Sequence, residues 1–338
     1  MKLPFSFVFV AMSLWGSIAQ AIPEAGFAEV HTATVQPWFD AHAQSGEIRG
    51  ADGLRLRYRM IRARRTSDAA LVILPGRSEP AVKYAELAYD LSDLGFDIYL
   101  LDHRGQGASE RIAKDPEVGH VAAFEDYVSD FERFVTQVVN ATSYRKKFLI
   151  AHSMGAAVST LYLAQHPTEF RAAIFSPPMY DVITEPYPRW VARSIVQGAI
   201  VLGQSEHYAK GKGPFDPNEK FNDSTVSRSR ARWNQAHALS VDHPDLRLGG
   251  PSNAWVNAAL SVRRLERKAS ETFRTPLLMF QAGDESIVVN AEQDYFCTRV
   301  SSCRLSRLED SLHEVFMERD SIRNRVLAET RAFLKAHR

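Results

Sequence analysis

At 338 residues the chain can bury one large core, or one core with an inserted subdomain. Hydrophobic residues make up 45% and charged residues 24%, which is ordinary for a globular protein. A formal net charge of +1 gives no electrostatic reason to expect nucleic acid or any other polyanion.

The first elements are a targeting segment and an arm. Met1-Lys2 is followed by an apolar run from Leu3 to Ile18 and then by Ala19-Gln20-Ala21, the small-x-small pattern of a secretory cleavage site. Residues 1–21 are therefore expected to be a signal peptide, with the mature chain starting near Ile22 and exported to the periplasm or the membrane periphery. The alternative is an uncleaved anchor, for which the run is short. Residues 22–48 carry few clear signals and read as an N-terminal arm.

From residue 50 the pattern becomes regular. Residues 54–60 alternate like a half-exposed strand, and 69–74 form an apolar run that ends in Pro75-Gly76. An amphipathic stretch over 79–94 stops at Gly95. A second buried strand, 96–101, leads into Asp102-His103-Arg104-Gly105-Gln106-Gly107-Ala108-Ser109. The spacing predicts a helix over 124–139, a buried strand over 148–151, a helix from Ser153 to before Pro167, and a strand over 172–175. Strands alternating with helices in this way predict an α/β fold with a mostly parallel sheet covered on both faces.

Between Pro178 and about Phe273 the rhythm breaks. The stretch has no convincing buried strand and is read as a helical cap inserted over the carboxyl ends of the strands, 178–273, within a core made of 22–177 and 274–338. Trp190, Val191, Ile195, Val196, Ala199 and Ile200 form an apolar stripe at helical spacing. Packing accounts for it, and so does a lid helix that lines an acyl-chain tunnel or touches a bilayer, with Arg189 and Arg193 at its flank. The run Arg228, Arg230, Arg232 reads as a solvated basic face, with a phosphate contact as the alternative. The alternation resumes with a strand over 276–282, a helix over 291–298, a strand over 303–308 and a terminal helix over 318–336. Cys297 and Cys303, the two cysteines, are compatible with one disulfide in an exported chain.

Ser153 carries the chemistry. It lies between a strand end and a helix start, flanked at minus two and plus two by the small residues Ala151 and Gly155, which is the context of a nucleophile elbow. A serine hydroxyl needs a base, and the base needs an orienting acid, in the chain order serine, acid, histidine. Asp284 directly follows a buried strand and is expected to be the acid, with Glu285 as its competitor. His313 is the one histidine of 11 on the loop before the terminal helix and is expected to be the base. The backbone N–H groups of Met154 and Arg77 are expected to form the oxyanion hole. His152 reads as a core residue behind the site, and His120, His237 and His243 as loop or cap residues. This chemistry needs no metal and no cofactor.

Several strings resemble a known family. They are Leu-Pro-Gly-Arg-Ser-Glu (74–79), Lys-Tyr-Ala-Glu-Leu-Ala-Tyr-Asp-Leu (83–91), Asp-His-Arg-Gly-Gln-Gly-Ala-Ser (102–109) and Ala-His-Ser-Met-Gly (151–155), with Leu-Gly-Gly-Pro-Ser-Asn-Ala-Trp-Val (248–256) and His-Glu-Val-Phe-Met-Glu (313–318). Together they are similar to the lysophospholipase L2 family, in the monoacylglycerol lipase-like branch of the α/β-hydrolases. The resemblance runs from about residue 50 to the C-terminus. It implies a hydrolase of lysophospholipids or related monoacyl lipids working through Ser153, Asp284 and His313. A carboxylesterase, an acyltransferase, an aminopeptidase-like enzyme or a non-catalytic lipid-binding protein would share the same scaffold. The export-like N-terminus departs from the family pattern.

Overall fold

The computed structural model describes residues 21–338, so the expected signal segment lies outside it except for Ala21. Eight strands form one sheet: β1 (Ala43–Arg49), β2 (Arg55–Ile61), β3 (Ala69–Leu74), β4 (Asp97–Leu101), β5 (Lys146–His152), β6 (Ala172–Ser176), β7 (Leu277–Ala282) and β8 (Cys303–Leu308). Their order is β1-β2-β4-β3-β5-β6-β7-β8, antiparallel across β1-β2-β4 and parallel from β4 onward. Strands β3, β4, β6 and β7 are buried at every position, which is why they read as unbroken apolar runs instead of alternating ones.

The described residues form ten α-helices: α1 (Phe27–Val30), α2 (Gln36–His42), α3 (Ala85–Leu91), α4 (Glu125–Phe134), α5 (Met154–Gln165), α6 (Arg189–Val201), α7 (Arg230–Asp242), α8 (Asn253–Ala269), α9 (Asn290–Arg299) and α10 (Asp320–Ala336). One core layer joins Phe131 and Phe134 of α4, Val158 and Leu161 of α5, Ala259 and Val262 of α8 and Phe296 of α9 to one face of the sheet. The opposite layer joins Leu87 and Leu91 of α3 and Val326 and Leu334 of α10 to the other face, with Phe27 and Phe39 of the arm. The arm is thus structured: it supplies two core aromatics and the edge strand β1, which sequence periodicity does not disclose because most of β1 is solvent-exposed.

Within 178–273, α6 and α7 lie outside the sheet layers, whereas α8 runs along α5 inside the core. Helix α6 packs on α8 through half-buried Val191, Ile195 and Ala199 and buried Val196, and it leaves Trp190 73% exposed. The arginine run is not a solvated face. Arg232 is buried against Glu86 and Asp320, Arg228 pairs with Asp284, and Arg230 stays outside over the Phe221 ring. Cys297 and Cys303 are disulfide-bonded and tie α9 to β8. Among the described residues no helix is long and apolar enough to cross a membrane.

Candidate active site

Strand β5 carries Ser153 to the carboxyl edge of the sheet, and α5 starts at the next residue. The turn between them forces Ser153 to φ 50°, ψ −114°, a conformation that costs a non-glycine residue about 1–3 kcal/mol. Surrounding bonds hold it there. Ser153 N–H donates to Ser176 O at 3.1 Å, and its own carbonyl accepts from Met179 N–H at 3.0 Å and Ala156 N–H at 3.1 Å. The small neighbours have a steric reason. A Cβ on Gly155 would stand 2.4 Å from Pro75 O, so only glycine lets α5 approach the end of β3.

His313 arrives from the loop after β8. Its Nε2 lies 2.9 Å from Ser153 Oγ and its Nδ1 lies 2.6 Å from Glu285 Oε2. An ionised carboxylate only accepts, so the proton sits on Nδ1 and Nε2 is free to accept from the serine hydroxyl. The carboxylate bonded to His313 is Glu285, and Asp284, the expected acid, is not at this contact. Strand β7 ends at Ala282, Gly283 and Asp284 form the turn, and Asp284 points outward to Arg228 (Oδ2 to Nη2, 2.8 Å) with its side chain 52% exposed. Glu285 is one residue further round, with its side chain 1% exposed, and the extra methylene reaches the imidazole. Its other oxygen accepts from Ile287 N–H at 2.8 Å and Val288 N–H at 3.3 Å. Burial opposes its ionisation, but His313 and these two amides hold its pKa below the usual carboxylate value. The apolar Ile287-Val288 that follows is the sequence signal for Glu285. It shows where the chain turns back into the core, and the acid must lie at that inward turn.

Met154 N–H, at the first position of α5, and Arg77 N–H, in the loop after β3, have no protein acceptor among the described residues. A Cβ on Gly76 would come within 3.2 Å of Ser153 Cβ, so this loop lies against the nucleophile and glycine is needed for the approach. The loop is clamped from outside. His103 Nε2–H donates to Pro75 O (3.1 Å), Gln106 Nε2 donates to Gly76 O (2.7 Å), and Gly76 N–H donates to Glu79 Oε2 (2.7 Å). The stretch 102–109 is therefore structural, and what it fixes is the loop after β3.

Behind the base lies a buried charge cluster. Lys83 Nζ bridges Glu79 (2.6 Å) and Glu314 (2.7 Å), and Tyr84 O–H also donates to Glu79. Burial disfavours the lysine charge, yet the two carboxylates raise its pKa above the usual lysine value. Glu79, His152 and Glu314 offer atoms within 4.8 Å of one another, a spacing open to a metal ion. The Lys83 ammonium already supplies positive charge there. His152 is packed against the His313 ring at 4.8 Å, and its Nδ1 pairs with Ser176 Oγ. Burial drops its pKa to about 3, so it is a neutral wall behind the base. His120 Nδ1 pairs with Ser252 Oγ at the start of α8, and His237 stacks on Trp233.

A serine on a strained strand-to-helix turn, bonded to a histidine that is bonded to a buried carboxylate, is the constellation of acyl transfer. The family described as serine aminopeptidase, S33 matches residues 65–320. The chain belongs to this family. Among its relatives, lysophospholipase L2 of Escherichia coli K12 is 36% identical over 304 residues, covering 86% of this chain and 87% of the relative. The monoacylglycerol lipase of Mycolicibacterium smegmatis is 25% identical over 273 residues, covering 80% and 89%. The structure of a soluble variant of Saccharomyces cerevisiae monoglyceride lipase superposes with a TM-score of 0.67 at 18% identity, covering 88% of this chain and 96% of that one. The α/β-hydrolase fold is thereby shown.

Proposed function

We propose that this chain is a serine ester hydrolase that releases the fatty acid of lysophospholipids, or of related monoacyl lipids, through an acyl-enzyme. The observation that carries the reading is the continuous relay from Ser153 Oγ through His313 to Glu285. The lysophospholipase and monoacylglycerol lipase relatives support lipid esters as the substrate class.

In the first step Ser153 Oγ attacks the ester carbonyl carbon while its proton passes to His313 Nε2. The carbonyl oxygen becomes an oxyanion, held by the N–H groups of Met154 and Arg77, and Glu285 stabilises the imidazolium. Collapse breaks the bond to the glycerol oxygen, which takes the proton from His313. Water then repeats the cycle on the acyl-serine and frees the fatty acid. Helices α6 and α7 and their connections act as the cap, anchored by α8. Exposed Trp190, Val201 and Leu202 at the two ends of α6 support a peripheral lipid contact. The expected signal segment and the disulfide support export.

The test is fatty-acid release from lysophosphatidylcholine and from monoacylglycerol by the wild type and by Ser153→Ala. Release that vanishes in the mutant is the expected result. A fully active mutant, or arylamine release from aminoacyl arylamides with no fatty-acid release, would replace this reading.

A further inference from the structure

Arg77 contributes more than its backbone N–H. Its side chain runs from the oxyanion loop to the cap, where Nη1 donates to Gly249 O at 2.9 Å and the guanidinium lies 5.5 Å from the centre of the Trp255 ring. Gly119 makes room for it, since a Cβ there would meet Nη1 at 3.2 Å. The side chain is fixed at one end and partly buried, yet no carboxylate among the described residues lies within ion-pair distance of it. The fully buried arginines among the described residues are all neutralised, whereas the partly buried Arg111, like Arg77, meets only carbonyl oxygens. Arg104 meets Asp130, Arg232 meets Glu86, Arg323 meets Asp90 and Arg331 meets Asp93. Burial without a partner lowers the pKa of Arg77.

The nitrogens left over are informative. Nε and Nη2 have no protein acceptor among the described residues, and neither is a sealed, unsatisfied atom. Together they form the side-on edge of the guanidinium, whose two parallel N–H bonds match two phosphate oxygens. The position also suits the substrate. In a lysophospholipid the phosphodiester is separated from the reacting ester carbonyl by one glycerol backbone. The Arg77 main chain addresses the carbonyl oxygen, and its charge sits one arginine side chain away. A monoacylglycerol carries only a hydroxyl at the corresponding place.

We propose that the guanidinium of Arg77 binds the phosphodiester of the substrate through its Nε–Nη2 edge and thereby selects lysophospholipids over monoacylglycerols. This assignment rests on the lysophospholipid reading above and specifies its head-group contact. A phosphate docking there supplies the missing counter-charge of a partly desolvated cation and leaves Nη1 on the cap.

The experiment compares kcat/KM of wild type, Arg77→Met and Arg77→Lys on lysophosphatidylcholine and on 1-monoacylglycerol of the same acyl chain, below their aggregation concentrations. Active enzyme is counted by fluorophosphonate titration. All variants keep the backbone N–H, and the ratio between the two substrates cancels any general disturbance of the oxyanion loop. The ratio should fall roughly 10- to 100-fold in Arg77→Met, the value of a charge-assisted hydrogen bond to an ion. Arg77→Lys should fall between, because a point charge replaces the fork; it also carries the comparison if the methionine variant does not fold. Equal losses on both substrates overturn the role of Arg77 and leave the hydrolase reading intact. A wild type that cleaves monoacylglycerol and not lysophosphatidylcholine overturns the lysophospholipid reading, and this assignment with it.

Discussion

Glu285→Gln set beside Asp284→Asn separates two neighbouring carboxylates by function. In the wild type Glu285 Oε2 receives the Nδ1 proton of His313 at 2.6 Å, from a side chain 1% exposed. A glutamine amide can occupy the same space, keep Oε1 on the Ile287 and Val288 amides, and present its NH₂ group to Nδ1. Nδ1 must then accept, the proton moves to Nε2, and the imidazole can no longer take the proton of Ser153. Loss of the correct tautomer costs about 10⁴-fold in kcat in enzymes of this design, or about 5 kcal/mol of barrier. Asp284→Asn removes only the ion pair to Arg228, whose two side chains are 52% and 33% exposed. Such a pair contributes about 0–1 kcal/mol of stability and touches no reacting atom. Its kcat should stay near wild type. The assay is hydrolysis of a short-chain nitrophenyl ester, with melting temperature as a check on folding. If Asp284→Asn loses activity by orders of magnitude while Glu285→Gln retains a tenth or more, the geometric assignment of the acid is wrong.

Acid stability should depend on His152. Its pKa is about 3 in the folded chain because of burial, against the ordinary value of 6.5, so between these limits the unfolded chain binds a proton that the folded chain does not. Its contribution is complete above pH 6.5 and is lost as the pH falls towards 3, on the order of a few kcal/mol in all. Urea unfolding at a series of pH values should show a flatter acid limb in His152→Gln, and an unchanged limb would remove His152 as the cause. At the two ends of α6, the double variant Trp190→Ala, Leu202→Ser removes side chains 73% and 76% exposed. With about 1.5–3 kcal/mol gained per fully buried large apolar side chain, vesicle flotation should show at least about tenfold weaker partitioning; equal partitioning would count against α6 as the lipid contact.

Much of this molecule is readable along the chain because its physics is local. Buried parallel strands must be apolar at consecutive positions, so β3, β4, β5, β6 and β7 can be placed from sequence. The elbow around Ser153 is legible for the same reason, since the requirement for small residues at 151 and 155 is a constraint between neighbours. His313 follows from chain order and from its loop. Three things depended on the fold. The first is the acid: Asp284 and Glu285 are chemically equivalent neighbours, and although the apolar Ile287-Val288 marks where the chain turns inward, the direction of the turn after Ala282 decides which carboxylate faces the imidazole and which faces solvent. The second is the fate of charged side chains such as Arg232 and Lys83, because burial of a charge depends on partners far away in sequence, Glu86 and Asp320 for one and Glu314 for the other. The third is the guanidinium of Arg77, which meets no carboxylate among the described residues. A missing counter-charge is a property of the space around a residue, which takes every packed segment to define.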